Sequence, residues 1–171
     1  MTSNQHDKLR SNTLATLEKK LEGQPFRLLS QGETLLPPGS TRTLQPDLAV
    51  VAEGATPNAD GAYTDAVIVV EVMTPESEAD DRGEKFRLYQ TLPSLKEYLL
   101  LCHHDVQVDH YHHPPDNDWA LNEVCGREWE FVLKGVRGLV KVSDLYDGVE
   151  MDEAYPAKVG PVDINHPFRA G

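Results

Sequence analysis

VIVVEVMTPESEADDRGEKFRLYQ, residues 67–90, is the stretch from which the rest of the chain can be read. Val67 through Val70 form a continuous β-branched run, the pattern of a strand buried on both faces, and Glu71 and Val72 extend it. A carboxylate in such a strand is costly unless something neutralises it. Pro75 marks a turn, and a helical pattern follows. Asp81, Lys85, Leu88, Tyr89 and Leu92 fall at i, i+4, i+7, i+8 and i+11, which is one stripe whose leucines would face a core. Two readings explain a lysine in that stripe. It pairs with Asp81 as an ordinary i,i+4 ion pair on a solvated helix edge, or it serves a site, orienting an attacking water or stabilising charge on a phosphoryl oxygen.

The segment LQPDLAVV, residues 44–51, is a second short apolar strand with Pro46 and Asp47 at its mouth, where proline is tolerated in sheets. Asp47 and Glu71 would thus each bring a carboxylate from a strand. With the backbone carbonyl of Val72 they supply the hard oxygen ligands that Mg2+ prefers, with Mn2+ able to take its place. In this arrangement Lys85 would position the water, and Asp81 and Tyr89 would shape the site.

The order Pro46-Asp47, Glu71-Val72-Met73, Asp81-Arg82-Gly83-Glu84-Lys85-Phe86 and Tyr89 resembles the Uma-type restriction endonuclease family, a branch of the PD-(D/E)XK nuclease superfamily. The resemblance continues through Pro93-Ser94-Leu95 and Glu97-Tyr98-Leu99-Leu100-Leu101 to Val142-Ser143-Asp144-Leu145-Tyr146, and covers about His6 to Val149. It implies an α/β fold with a restriction-endonuclease-like core, a central mixed β-sheet flanked by helices, and metal-dependent hydrolysis of DNA phosphodiesters. In the superfamily a lysine stands two residues after the strand acid. That position here is Met73, so the resemblance implies that the lysine has moved to the following helix, at Lys85. Relatives commonly begin with a further hairpin-forming segment before the residue matching His6. Its near absence here leads us to expect a homodimer or a smaller sheet. Glu18, on the first helix, is a candidate for a further catalytic acid, and His6 is read as a surface or capping residue.

With 171 residues, 39% of them hydrophobic and 26% charged, the chain suits one domain over residues 1–171, with a core at about 7–148 and an irregular, proline-containing tail at 149–171. A mean hydropathy of -0.47 without a long apolar run speaks against a membrane span, and MTSNQHDKLR has no secretory pattern, so a cytoplasmic location is expected. Cys102 and Cys125, without CxxC spacing, read as small buried hydrophobes with no disulfide. The net charge of -12 opposes non-specific affinity for nucleic acid, although a bound magnesium ion would offset part of it. Together with Met73, it favours the alternative of a catalytically inactive nuclease-fold binding or assembly module.

The spacing further predicts a first helix over 7–21 with Asp7, Ser11 or Asn12 as cap and Gly23 as stop, and a strand or hairpin over 25–36. An exposed loop over 53–63 is expected near the mouth of the site. Strands are expected at 96–101, 105–113 and 119–125, the last two as an antiparallel pair, with shorter extended pieces at 128–133 and 138–142. Five histidines cluster at 103, 104, 110, 112 and 113. His110 and His112 would share a strand face at a spacing open to zinc or nickel, but without a third ligand at defined spacing a solvated hairpin face is the preferred reading.

Overall fold

The computed structural model describes residues 3–116 and 118–151, so most of the expected C-terminal tail lies outside the described residues. Its centre is a six-stranded mixed sheet of β1 (Phe26–Leu28), β3 (Leu48–Ala52), β5 (Ile68–Val72), β6 (Glu97–Leu101), β7 (Gln107–His112) and β8 (Ala120–Cys125), in the order β1-β3-β5-β6-β7-β8. Neighbours run antiparallel except β5 and β6. A parallel pair needs a crossover, and the helices α2 (Glu78–Arg82) and α3 (Glu84–Gln90) supply it.

The continuous apolar runs of β3, β5 and β6 follow from burial on both faces. Leu48, Val50, Ile68, Val70, Val72, Leu99 and Leu101 enter one core with Leu9, Leu17 and Leu21 of α1 (Ser3–Leu21) and Val142 and Leu145 of α4 (Val142–Leu145). Ala49, Val51, Val69, Tyr98 and Leu100 enter the other, with Phe86 and Tyr89 of α3. Two small two-stranded pairs also lie among the described residues: β2 (Thr34–Leu35) with β4 (Ala62–Tyr63), parallel, and β9 (Glu130–Val132) with β10 (Leu139–Lys141), antiparallel. No helix among the described residues is long and apolar enough to cross a membrane.

Several local expectations change. Helix α1 starts at Ser3, so Asp7, Ser11 and Asn12 lie within it. Asn12 instead donates from its amide to the carbonyls of Leu145 and Asp147, tying α1 to α4. The stripe from Asp81 to Leu92 is carried by two short helices. The backbone breaks at Gly83, where a Cβ would stand 2.8 Å from the Ala79 carbonyl oxygen, so only glycine fits. Of the strand or hairpin expected over 25–36, strands form but not a hairpin, because β1 joins β3 while β2 joins β4. The loop that begins at Glu53 leaves the end of β3 opposite Asp47 and so starts away from the site. Cys102 is buried, whereas Cys125 is exposed on β8.

Candidate active site

Antiparallel pairing of Leu48 with Val70 puts the N-terminal mouth of β3 beside the C-terminal end of β5. Asp47 and Glu71 meet there. The Asp47 N–H donates to Glu71 Oε2 over 3.3 Å, and the Val72 N–H donates to Asp47 Oδ2 over 2.7 Å. In an extended strand a residue's N–H and C=O leave by the same edge, so the Val72 carbonyl is directed to the Asp47 side as well.

Strand alternation decides what Glu71 faces. Val70 and Val72 point into the α1 core, so Glu71 points with Val69 and Met73 toward α2 and α3, where it is only 3% exposed. Tyr89 donates its hydroxyl to Glu71 Oε1 at 2.8 Å, and Lys85 Nζ lies 3.5 Å from the same oxygen. Lys85 makes its shorter contact, 2.7 Å, with Asp81 Oδ1. Asp81 is buried and also accepts from the Ser77 hydroxyl. Asp47, Glu71, Asp81, Lys85 and Tyr89 thus form one connected group, although Asp81 and Lys85 sit on different helices. Their pair joins a buried Asp81 to a Lys85 that is 19% exposed, so it is part-buried and not on a fully solvated edge. Met73 is fully buried among apolar groups.

The electrostatics follow from three carboxyls sharing one ammonium. Burial pushes the Glu71 carboxyl up to about 8, and Asp47 and Asp81 add to the rise while Lys85 opposes it. Burial acts against the Lys85 ammonium, but Glu71 and Asp81 outweigh it and hold it above its ordinary value, so it is charged. Burial likewise works against the Asp47 carboxylate, yet His6 and the Val72 N–H hold it below the usual range. Burial, reinforced by Glu71, keeps the Tyr89 phenol neutral. A proton on Glu71 at neutral pH therefore lowers the negative charge that three carboxyls would place beside one ammonium. A divalent cation would replace that proton, and the all-oxygen set of Asp47, Glu71 and the Val72 carbonyl suits a hard ion.

Tyr89→Phe removes the hydroxyl that satisfies a buried carboxyl oxygen. We expect it to destabilise the metal-free protein by about 1–3 kcal/mol in denaturant unfolding. An unchanged midpoint would mean that Lys85 alone satisfies Glu71.

One neighbour was not assigned a role from the sequence. His6 lies inside α1, and its Nε2 is 3.4 Å from Asp47 Oδ1, which raises the histidine's pKa. Arg10, a turn later, donates to the Asp47 carbonyl. Apolar periodicity revealed the helix, but no local signal ties its first turns to Asp47. Glu18 is exposed and stands about 18 Å along the helix from His6 at 1.5 Å per residue. His110 and His112 do share a face, with ring centroids 5.4 Å apart. His110, however, is buried and bonded to Glu97 at 2.7 Å, so no solvated hairpin face explains it.

Comparison with known proteins places these observations in a family. A family model named Uma2 and described as "Putative restriction endonuclease" matches residues 1–144. An uncharacterized protein of Synechocystis sp. is 29% identical over 127 residues, covering 73% of this chain and 72% of that protein. A second from the same organism is 41% identical over 76 residues, covering 44% of this chain and 40% of its own length. The crystal structure of a "putative nuclease belonging to DUF820" from Anabaena variabilis matches with a TM-score of 0.68 over 88% of this chain and 84% of that one. At 11% identity that likeness speaks for the fold alone.

Proposed function

The chain belongs to the Uma2 family, and from that premise we propose that it is a Mg2+-dependent endonuclease that hydrolyses DNA phosphodiester bonds. The observation that carries this reading is the convergence of Asp47, Glu71 and Lys85 at one end of the sheet, with a carboxyl that the protein's own cations leave protonated. Asp47, Glu71 and the Val72 carbonyl would hold the ion. When bound, it would supply Lewis-acid stabilisation of charge on a phosphoryl oxygen and a more acidic water, and Mn2+ would substitute.

The chain's own groups have separable tasks. Lys85, held charged between Glu71 and Asp81, can only donate; it orients the water or meets charge developing on the phosphate and cannot accept the water's proton. Asp81 fixes the lysine and is itself fixed by Ser77. Tyr89 holds the orientation of Glu71. A cytoplasmic homodimer acting on DNA belongs to the same reading.

The competing reading is a nuclease-fold binding or assembly module without catalysis. The net charge of -12 and the short Asp81–Lys85 pair, which can serve purely to neutralise a buried acid, favour it. Titrating Mg2+ or Mn2+ into the purified protein by calorimetry, with supercoiled plasmid nicking followed in parallel, separates the two. Asp47→Ala should lose metal binding and nicking together. Lys85→Ala should still bind metal but nick about a hundredfold more slowly or less. Nicking that survives in both variants would end the nuclease assignment, and metal binding without nicking in the wild type would favour the module.

A further inference from the structure

Away from Asp47 and Glu71, a second group of ligand atoms converges. Glu78 in α2, with His103 and His104 just after β6, each offer one atom, and the three atoms all lie within 4.8 Å of one another. His103 Nε2 is 3.3 Å from Glu78 Oε2 and 3.3 Å from His104 Nδ1. Two ligands held at about 2.0–2.1 Å by one tetrahedral zinc ion stand roughly 3.3 Å apart, so both separations match an edge of such a coordination shell. The same distance is long for a hydrogen bond, which for N–H donors centres near 2.9–3.0 Å.

The surroundings agree with a cation there. His103 is 2% exposed, and this buried ring turns Nε2 toward a carboxylate and a second imidazole. Arg82 binds the other Glu78 oxygen, Oε1, at 3.0 Å, which leaves Oε2 to the histidines. The guanidinium charge works against a nearby cation, yet Asp109 also opposes that charge from β7.

We propose that Glu78, His103 and His104 form a zinc site that clasps the start of α2 to the end of β6. Two imidazoles and a carboxylate suit zinc or nickel, in contrast to the oxygen donors at Asp47 and Glu71, so the two sites differ in metal preference. Asp81 lies one turn beyond Glu78 on the same helix, and a metal at Glu78 therefore steadies the element that holds Lys85. The site stands whether or not the protein cuts DNA.

The test uses metal-stripped full-length protein titrated with zinc alone, by calorimetry and by thermal unfolding. Wild type should bind one zinc per chain and melt higher with zinc present. His104→Ala, at a partly exposed position, should weaken binding about tenfold or more and abolish the shift in melting. Glu78→Gln should do the same and serves if His104→Ala folds poorly. Glu71→Gln should bind zinc like the wild type. Co2+ in place of zinc should give the strong visible absorption of tetrahedral coordination in the wild type and not in His104→Ala. The proposal is overturned if the wild type binds no zinc, if His104→Ala and Glu78→Gln both bind as the wild type does, or if binding is lost in Glu71→Gln.

Discussion

Glu71→Gln loses more than about a hundredfold in affinity for Mg2+ or Mn2+, and with it plasmid nicking, while removing a pH dependence from the stability of the metal-free protein. The reasoning starts from burial. The Glu71 carboxyl, pushed up to about 8 by desolvation and by Asp47 and Asp81, is protonated in the folded state at pH values where the unfolded chain, with an ordinary value of 4.5, has released its proton. Between those limits the native state binds more protons than the unfolded one. This group's contribution is therefore fully present below about pH 4.5 and is lost as pH rises through about 8, a fall on the order of 5 kcal/mol.

Glutamine cannot ionise, so the difference in stability between wild type and variant should tilt across that window, with the variant gaining relative to the wild type toward pH 8. Metal affinity of the wild type should move the other way. The ion must displace the proton, so affinity rises about tenfold per pH unit up to pH 8, with one proton released per ion bound. Urea unfolding at pH 5 and pH 8, and calorimetry in buffers of different ionisation enthalpy, measure both effects. Parallel stability profiles for the two proteins would show that Glu71 is ionised in the folded state, and the charge balance given for the site would then be wrong.

Asp109→Ala should destabilise the protein by about 3 kcal/mol, lowering the melting temperature by roughly 6–12 °C. Asp109 is fully buried on β7, where its carboxylate binds Arg82 of α2 and accepts from the Gln107 amide. Its removal leaves a guanidinium, 28% exposed, with Glu78 as its remaining carboxylate partner among the described residues and Cys102 Sγ as a weak acceptor, and a buried charge that loses its counter-ion costs more than the pair itself contributes. The partial exposure of Arg82 and its remaining partner set the effect at the lower end of that range. The double change Arg82→Met with Asp109→Leu should recover most of the loss, because apolar groups of similar size need no neutralisation. A single variant as stable as the wild type would show that water reaches Arg82 freely. Asp81 adjoins Arg82, so loosening α2 from β7 should also slow any nicking by freeing the Asp81–Lys85 pair.

The strands that build the sheet could be read in advance. Val67–Val72, Lys96–Leu101 and the hairpin near His113 carry apolar runs or two-residue alternation that few other structures accommodate. The pairing of acids with a lysine was also legible, because Glu71 and Lys85 break otherwise apolar patterns. Less visible was the break at Gly83, since the periodicity of Asp81, Lys85 and Tyr89 survives the division into two helices. A single glycine inside a helical pattern does not reveal how closely the Ala79 carbonyl will approach it. The early start of α1 at Ser3 escaped notice because residues 3–8 are polar, and its helicity rests on packing further along.

By itself, then, the sequence determined which segments form strands and helices and which residues break them with charge, because hydrophobic periodicity is a local property of the chain, while the mixed α/β architecture was what the family resemblance implied. Only the tertiary structure decided which face Glu71 takes, since a strand buried on both sides has no polar face to orient it. It likewise decided that Asp47 sits beside Val72, that His6 reaches Asp47, that Arg82 meets Asp109, and that Glu78 faces His103 and His104. Each of these contacts joins segments far apart in the chain. They are set by strand register and by the packing of α1 and α2 on opposite faces, energies that no short window of sequence contains.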